Sequence, residues 1–139
     1  MSARVFVDTN ILVYAHTRST DPRHELARER IRDLWSKPDT AWVSVQVLQE
    51  LHVNLIKKCG LPAPKSAQLV QTYFAWNVVE SDVRLLQQSL DLQQRFPLSF
   101  WDALILAAAK RAGASELWSE DFQAGRTLDD VRVMNPLGV

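Results

Sequence analysis

The chain has 139 residues, 47% of them hydrophobic, and its 16 Lys and Arg residues balance its 16 Asp and Glu residues. This length and composition predict a single domain over residues 1–139, because a second domain would need a longer chain. The zero net charge lacks the overall basic character of many nucleic-acid binders, although a balanced total can hide an acidic cleft ringed by basic side chains.

Several features predict a reduced, cytoplasmic protein that does not contact membranes. No apolar run reaches the roughly 18 residues that a membrane span needs, and a strand is predicted directly after the first residues, where a leader would stand. The single Cys59 excludes an internal disulfide and any Cys-based zinc cage. The three His residues show no paired ligand spacing.

The first predicted strand ends at an acidic residue. Arg4 to Val7 form a short run rich in β-branched residues, Asp8-Thr9-Asn10 follow, and an apolar helix begins at Ile11. Ligands collect where a strand of an open α/β sheet ends and its helix begins, so Asp8 is a candidate site residue. Alternatively, the three polar side chains only cap the helix.

A second acidic candidate lies on a predicted helical hairpin. A helix is predicted over residues 21–35, a strand over 42–45, a helix from its cap Ser44 to about residue 58, and another helix over 65–76. Glu50 lies on the flank of the apolar stripe of the helix that Ser44 caps. Such a Glu can also simply reach water.

A third candidate, Asp102, is the only charged residue in the apolar run from Phe100 to Ala109. After a strand over 77–80 and a helix over 81–96, this run predicts a core helix that is apolar on every side. An isolated carboxylate there would cost several kcal/mol unless it is neutralised, hydrogen-bonded or bound to a cation. Asp102 also stands three residues after Ser99, where it could complete a helix cap, and both roles are compatible.

The last predicted elements repeat the arrangement at Asp8. A weak strand over 115–119 ends at Glu120 and Asp121, a loop or short helix follows over 122–128, Asp129-Asp130 form a turn, and a final strand spans 131–134. Strands alternate with helices along the chain. This order predicts an α/β fold whose parallel sheet is flanked by helices on both faces.

Four carboxylates therefore stand out by context: Asp8, Glu50, Asp102 and Asp121. Bringing them together is unfavourable, because each raises the pKa of its neighbours, and a divalent cation removes this conflict. Hard, all-oxygen ligands without His or Cys favour Mg²⁺ or Mn²⁺ over zinc. Such a site predicts metal-assisted hydrolysis of a phosphodiester.

The ordered motifs of the chain resemble a known family. Val7-Asp8-Thr9-Asn10-Ile11-Leu12, a Glu on the third helix, Phe100-Trp101-Asp102-Ala103, Ser119-Glu120-Asp121-Phe122 and a last strand ending at Asn135-Pro136 look like a PIN domain. The likeness covers essentially the whole chain and is greatest to the small VapC-type toxins. It implies a Mg²⁺- or Mn²⁺-dependent endoribonuclease that acts on RNA, forms a homodimer and is silenced by an antitoxin whose tail fills the acidic cleft.

The resemblance also implies a role for each matched residue. Asp8 and Asp102 would bind the metal directly, Asp121 directly or through water, and Glu50 would orient or deprotonate the attacking water. The adjacent Glu120 could replace Asp121 as the fourth acid. Polar positions of the family that orient the acids match Asn10 and Ser119. By analogy, the hairpin over 44–76 would contact a second copy or the antitoxin.

Two other functions share part of this pattern. Aspartyl-phosphate phosphatases also begin with an Asp at a strand end, but they need a second acid two residues later, where this chain has Asn10. A PIN-like module that only binds protein or RNA is the second alternative. The presence of all four acids argues against the loss of catalysis.

Overall fold

Short parallel strands organise the chain. The computed structural model describes residues 3–122 and 125–138, which form six strands and six α-helices. The strands are β1 (Val5–Val7), β2 (Ala41–Ser44), β3 (Asn77–Val79), β4 (Glu116–Trp118), β5 (Thr127–Leu128) and β6 (Val131–Met134). The helices are α1 (Thr9–His16), α2 (Pro22–Trp35), α3 (Val45–Lys57), α4 (Ala63–Thr72), α5 (Val83–Arg95) and α6 (Phe100–Arg111), with 3-10 turns at Pro38–Thr40 and Tyr73–Ala75.

The strands form one sheet in the order β3-β2-β1-β4-β6-β5, parallel except for β5. The chain runs outward from β1 to β3 and then crosses back to β4. Because parallel crossovers are right-handed, this reversal places α1 to α4 on one face and α5 with α6 on the other. The carboxyl ends of β1 and β4 are neighbours at the point of reversal, where open α/β sheets bind their ligands.

The core lies on both faces of the central strands. Phe6 and Val7 of β1 and Leu117 of β4 are fully buried. Ile11 of α1 and Leu106 of α6 are also buried and belong to the same core cluster. This burial fixes the ends of β1 and β4, and with them the residues that follow each strand.

The predicted α/β fold is confirmed, including most of its element boundaries. Asp21 caps α2 through a bond from the backbone nitrogen of Arg23, and Ser44 caps α3 as expected. The second helix of the hairpin was placed wrongly, because it begins at Ala63 and gives way to a 3-10 turn after Thr72. Pro64 explains the early start, since proline needs no hydrogen-bond donor in a first helical turn.

Two other expectations were wrong. The stretch expected as a loop or short helix over 122–128 contains β5, which pairs antiparallel with β6; residues 123 and 124 lie outside the described part of the chain. The turn between these strands is at Asp129-Asp130, as expected, with φ of 48° and 70°. Helix α6 is apolar as expected but is not buried on every side, because Trp101 in its first turn is 63% exposed.

No helix within the described residues combines the length and apolar character needed to cross a bilayer.

Candidate metal centre

Asp8 lies at the end of β1 and is 4% exposed. Its backbone nitrogen donates to the carbonyl of Trp118 at 2.9 Å, so the pairing of β1 with β4 continues to this residue. Its carboxylate accepts a bond from the backbone nitrogen of Thr9 at 2.7 Å and another from Ser119 Oγ at 2.7 Å. Asp8 therefore caps α1, as one interpretation of the sequence proposed, and it also joins the two central strands.

The electrostatic environment of Asp8 is unusual for a carboxylate. Burial raises its pKa from 3.8 to about 7, the hydrogen bonds from Ser119 and Thr9 oppose this rise, and the charges of Asp121 and Glu50 add to it. A shifted pKa with nearby charged partners is typical of functional sites. Asp8 is thus a buried acid beside two other acids.

The loop after β4 supplies the next group. The backbone nitrogen of Asp121 donates to Ser119 Oγ at 3.0 Å, and Asn10 Nδ2 lies 3.4 Å from both carboxylate oxygens of Asp121. The adjacent Glu120 instead accepts a bond from Arg23 Nη1 at 3.3 Å. Of the two acids, the structure turns Asp121 toward Asn10 at the start of α1 and Glu120 toward α2.

Asp102 lies in the first turn of α6, half-buried. Ser99 caps this helix by accepting a bond from the backbone nitrogen of Asp102 at 3.1 Å. Burial raises the pKa of Asp102, and the charge of Asp121 raises it further. Asp121 is therefore near enough to both Asp8 and Asp102 for its charge to affect them, and all three acids lie on the carboxyl side of the sheet.

Glu50 is exposed, and two donors hold its carboxylate against α1. Thr9 Oγ1 donates to Glu50 Oε1 at 3.2 Å, and Gln46 Nε2 donates to the same oxygen at 3.3 Å. Sequence reasoning missed both donors as site residues. A signal for Gln46 existed, because a residue four positions before Glu50 shares its helix face. Thr9 was considered only as a helix cap.

The chemistry of these residues fits a hard divalent cation. All four predicted acids supply oxygen, and two of them lie at the positive ends of helices, Asp8 as the N-cap of α1 and Asp102 in the first turn of α6. Across residues 3–122 and 125–138, none of the four forms an ion pair with Lys, Arg or His. Within the same residues, no three acidic, His or Cys side chains lie close enough to hold an ion as they stand. Mutual repulsion keeps unneutralised carboxylates apart, and a cation would offset it.

Fold and site together define an α/β protein with an acidic site between β1 and β4, where the strand order of a mostly parallel sheet reverses. The model of the PIN domain matches residues 5–127, so the chain belongs to the PIN domain family, a family of nucleases. No curated protein matches the sequence.

Solved structures of toxins share this fold. VapC20 of Mycobacterium tuberculosis, described as a toxin that cleaves the sarcin-ricin loop, is 25% identical, with a TM-score of 0.66 over 84% of this chain and 91% of that one. A toxin-antitoxin complex from Klebsiella pneumoniae is 20% identical, with a TM-score of 0.70 over 95% and 97%. VapBC2 from Rickettsia felis, bound to a promoter DNA fragment, is 16% identical, with a TM-score of 0.65 over 93% and 96%.

Proposed function

We propose that this protein is a Mg²⁺- or Mn²⁺-dependent endoribonuclease and the toxin of a VapBC-type toxin-antitoxin pair. One observation carries the proposal. Asp8 is a buried carboxylate beside Asp121 and Glu50, with no basic ion-pair partner in the described chain. A bound cation would neutralise the buried negative charge of Asp8. Because the chain belongs to a family of nucleases, such a cation would serve the hydrolysis of a phosphodiester.

The four acids would divide the work. Asp8 and Asp102 would hold the ion directly, and Asp121 directly or through water. When bound, the ion acidifies a coordinated water and neutralises charge on the phosphodiester. Both described donors to Glu50 bond Oε1, which leaves Oε2 free to orient the attacking water and accept its proton. The water oxygen then bonds to phosphorus as one P–O ester bond breaks, and the leaving oxygen takes up a proton.

An antitoxin partner is supported by the toxin-antitoxin complexes that share this fold and by an apolar groove on the predicted hairpin. The groove lies between α3 and α4, holds about 330 Å³ and includes Leu48, Val70 and the 63% exposed Phe74. A concave apolar groove suits an inserted amphipathic segment. We assign this groove to the antitoxin.

Homodimer formation is supported by a second apolar surface. On α5, Val83 is 82% exposed, Leu86 44% and Leu90 40%, and Trp101 in the first turn of α6 is 63% exposed. Contiguous exposed apolar side chains are typical of interaction sites. This α5–α6 strip, which borders a groove of about 380 Å³ lined by Val83, Leu86 and Phe100, can pair with a second copy of itself across a two-fold axis.

The test is cleavage of labelled RNA by the purified chain with Mg²⁺ or Mn²⁺. We expect cleavage that EDTA stops and that Asp8→Asn and Asp102→Asn each reduce by at least about 100-fold, because each removes a charged ligand. Asp91→Asn, at an exposed acid on α5, is the matched control and should cleave normally.

Cleavage that survives both substitutions, or persists in EDTA, would contradict the assignment. A chain that binds RNA but neither cleaves it nor binds Mn²⁺ in calorimetry would be the non-catalytic module. In cells, we expect growth arrest by the intact chain and relief by Asp8→Ala.

A further inference from the structure

Three consecutive residues after β4 bind three different partners. Ser119 Oγ donates to Asp8 Oδ2 at 2.7 Å, and Asn10 Nδ2 lies 3.4 Å from Asp121 Oδ1. Glu120 forms an ion pair with Arg23, with 3.3 Å between Oε2 and Nη1. The first two partners belong to the candidate metal centre. The third lies on α2, outside it, and the proposed function gives it no role.

Arg23 is held firmly enough to serve as a fixed point. Its Nε and Nη2 donate to Asp21 Oδ2 at 2.9 and 2.6 Å, and its guanidinium lies 4.7 Å from the ring centre of Tyr14. Asp21 in turn caps α2. A planar guanidinium that donates two hydrogen bonds to one carboxylate oxygen and also contacts an aromatic ring is held in one orientation. Its remaining nitrogen, Nη1, is therefore in a defined position to bond Glu120.

Tyr14 links the same contacts to α1. It follows Asn10 by four residues and so shares its helix face. Burial raises the pKa of Tyr14, the nearby charge of Glu120 raises it further, and the charge of Arg23 lowers it. Two successive turns of α1 therefore face two successive acids of the loop, Asn10 facing Asp121 and Tyr14 facing Glu120.

Asp121 needs such help, because its side chain is exposed and, within the described residues, its carboxylate contacts a single donor. That donor is Asn10 Nδ2, 3.4 Å from both carboxylate oxygens. The side chain of Glu120, by contrast, is only 19% exposed. We propose that Tyr14, Arg23 and Glu120 form an anchor that positions the loop carrying Asp121, and that Glu120 acts in this anchor and does not bind the metal. This inference rests on the proposed function.

The decisive comparison uses Mn²⁺ affinity, measured by calorimetry. Glu120→Gln keeps a side-chain oxygen that can accept the bond from Arg23, so its affinity should stay within about 2-fold of the natural chain. Glu120→Ala and Arg23→Ala both remove the anchor and should each lower affinity about 3- to 10-fold, toward the range of a lost outer partner. Asp121→Asn should lower it at least as much.

The double variant Arg23→Ala/Glu120→Ala should be no weaker than either single one, because both break the same contact. Arg30→Ala, at another α2 arginine, is the matched control and should bind Mn²⁺ normally. If Glu120→Gln loses as much affinity as Asp121→Asn, Glu120 is a ligand and the proposal is wrong. It is equally wrong if Arg23→Ala binds Mn²⁺ like the natural chain.

A second measurement tests the anchor without metal. In EDTA, amide hydrogen exchange of residues 119–122 should be several-fold faster in Arg23→Ala than in the natural chain, and unchanged in Arg30→Ala. If the natural chain binds no Mn²⁺ at all, the proposed function fails, while the exchange rates still decide whether the anchor exists. Equal exchange in Arg23→Ala and the natural chain would refute it.

Discussion

Asp8 combines burial with acidic neighbours, so without metal it should lower the stability of its own fold. The unfolded side chain releases its proton near pH 3.8 and the folded one near pH 7, so stability falls as pH rises between these values, by at most about 4 kcal/mol. Asp8→Asn carries no charge at any pH. We therefore expect this variant to be more stable than the natural chain at pH 8 in EDTA, measured by denaturant unfolding.

The same comparison at pH 5 is the control, because most of the natural Asp8 is then protonated and the advantage of the variant should shrink. The Asn side chain also cannot keep the hydrogen bond that Ser119 Oγ donates to Asp8 Oδ2 when its amide nitrogen stands at that position, because this nitrogen only donates. The prediction compares the stability of Asp8→Asn with that of the natural chain at each pH. If the advantage of the variant were smaller at pH 8 than at pH 5, the raised pKa of Asp8 would be contradicted.

Metal affinity should also depend on pH, because a proton and a cation compete for Asp8. With a pKa of about 7, the affinity for Mn²⁺ should rise up to about 10-fold per pH unit below pH 7 and level off above it. Calorimetric titrations between pH 6 and 8 would measure this. A flat profile would show that Asp8 does not compete with the metal.

At the scale of residues, the sequence predicted the acids whose surroundings are regular. Asp8 ends an apolar strand and Asp102 interrupts an apolar helix, so both stood out. The orientations of Glu120 and Asp121 could not be predicted, because adjacent side chains of an irregular loop point in different directions. Here the direction of Glu120 depends on Arg23, which is 97 residues away in the chain.

Among the elements, the end of α6 gives a sharp test of local conformation. Gly113 follows this helix with φ of 68°, and an added Cβ would lie 3.3 Å from Arg4 Nη1, which donates to the carbonyl of Ala112. Gly113→Ala should therefore cost about 1 kcal/mol for the left-handed backbone plus the displacement of Arg4, and lower Tm by a few degrees.

Gly60→Ala is the matched control, because Gly60 also has φ of 68° but open space around its missing Cβ. It should pay only the backbone cost. Thermal unfolding of both variants measures the difference. An equal decrease in Tm for both variants would mean that the contact with Arg4 does not affect stability.

Helix ends were predictable wherever a side chain caps them, as Asp21 and Ser44 do. Strand β5 was not predictable, because two residues are too few to show an alternation of apolar and polar side chains. The position of this strand depends on its pairing with β6. The first turn of α6 was also misjudged. The hydrophobicity of Trp101 does not reveal that its helix begins at the rim of the fold.

For the molecule as a whole, the two exposed apolar surfaces should bind different partners. Leu86→Glu places a charge in the α5–α6 strip and should shift the proposed homodimer to monomer in sedimentation experiments, because charge is depleted from the cores of interfaces. Phe74→Glu, at the α3–α4 groove, is the control and should leave self-association unchanged. If Phe74→Glu alone produced monomers, the assignment of the two surfaces would have to be exchanged.

The four acids come from residues 8, 50, 102 and 121, and the strand that fixes the last of them, β4, pairs with β6 farther along the chain. During synthesis, the N-terminal half therefore carries Asp8 and Glu50 before Asp102 and Asp121 have been made. If the protein cleaves RNA as proposed, its activity can arise only after β4 and β6 have left the ribosome. The order of the segments would thus delay the proposed RNA cleavage until nearly the whole chain has been made.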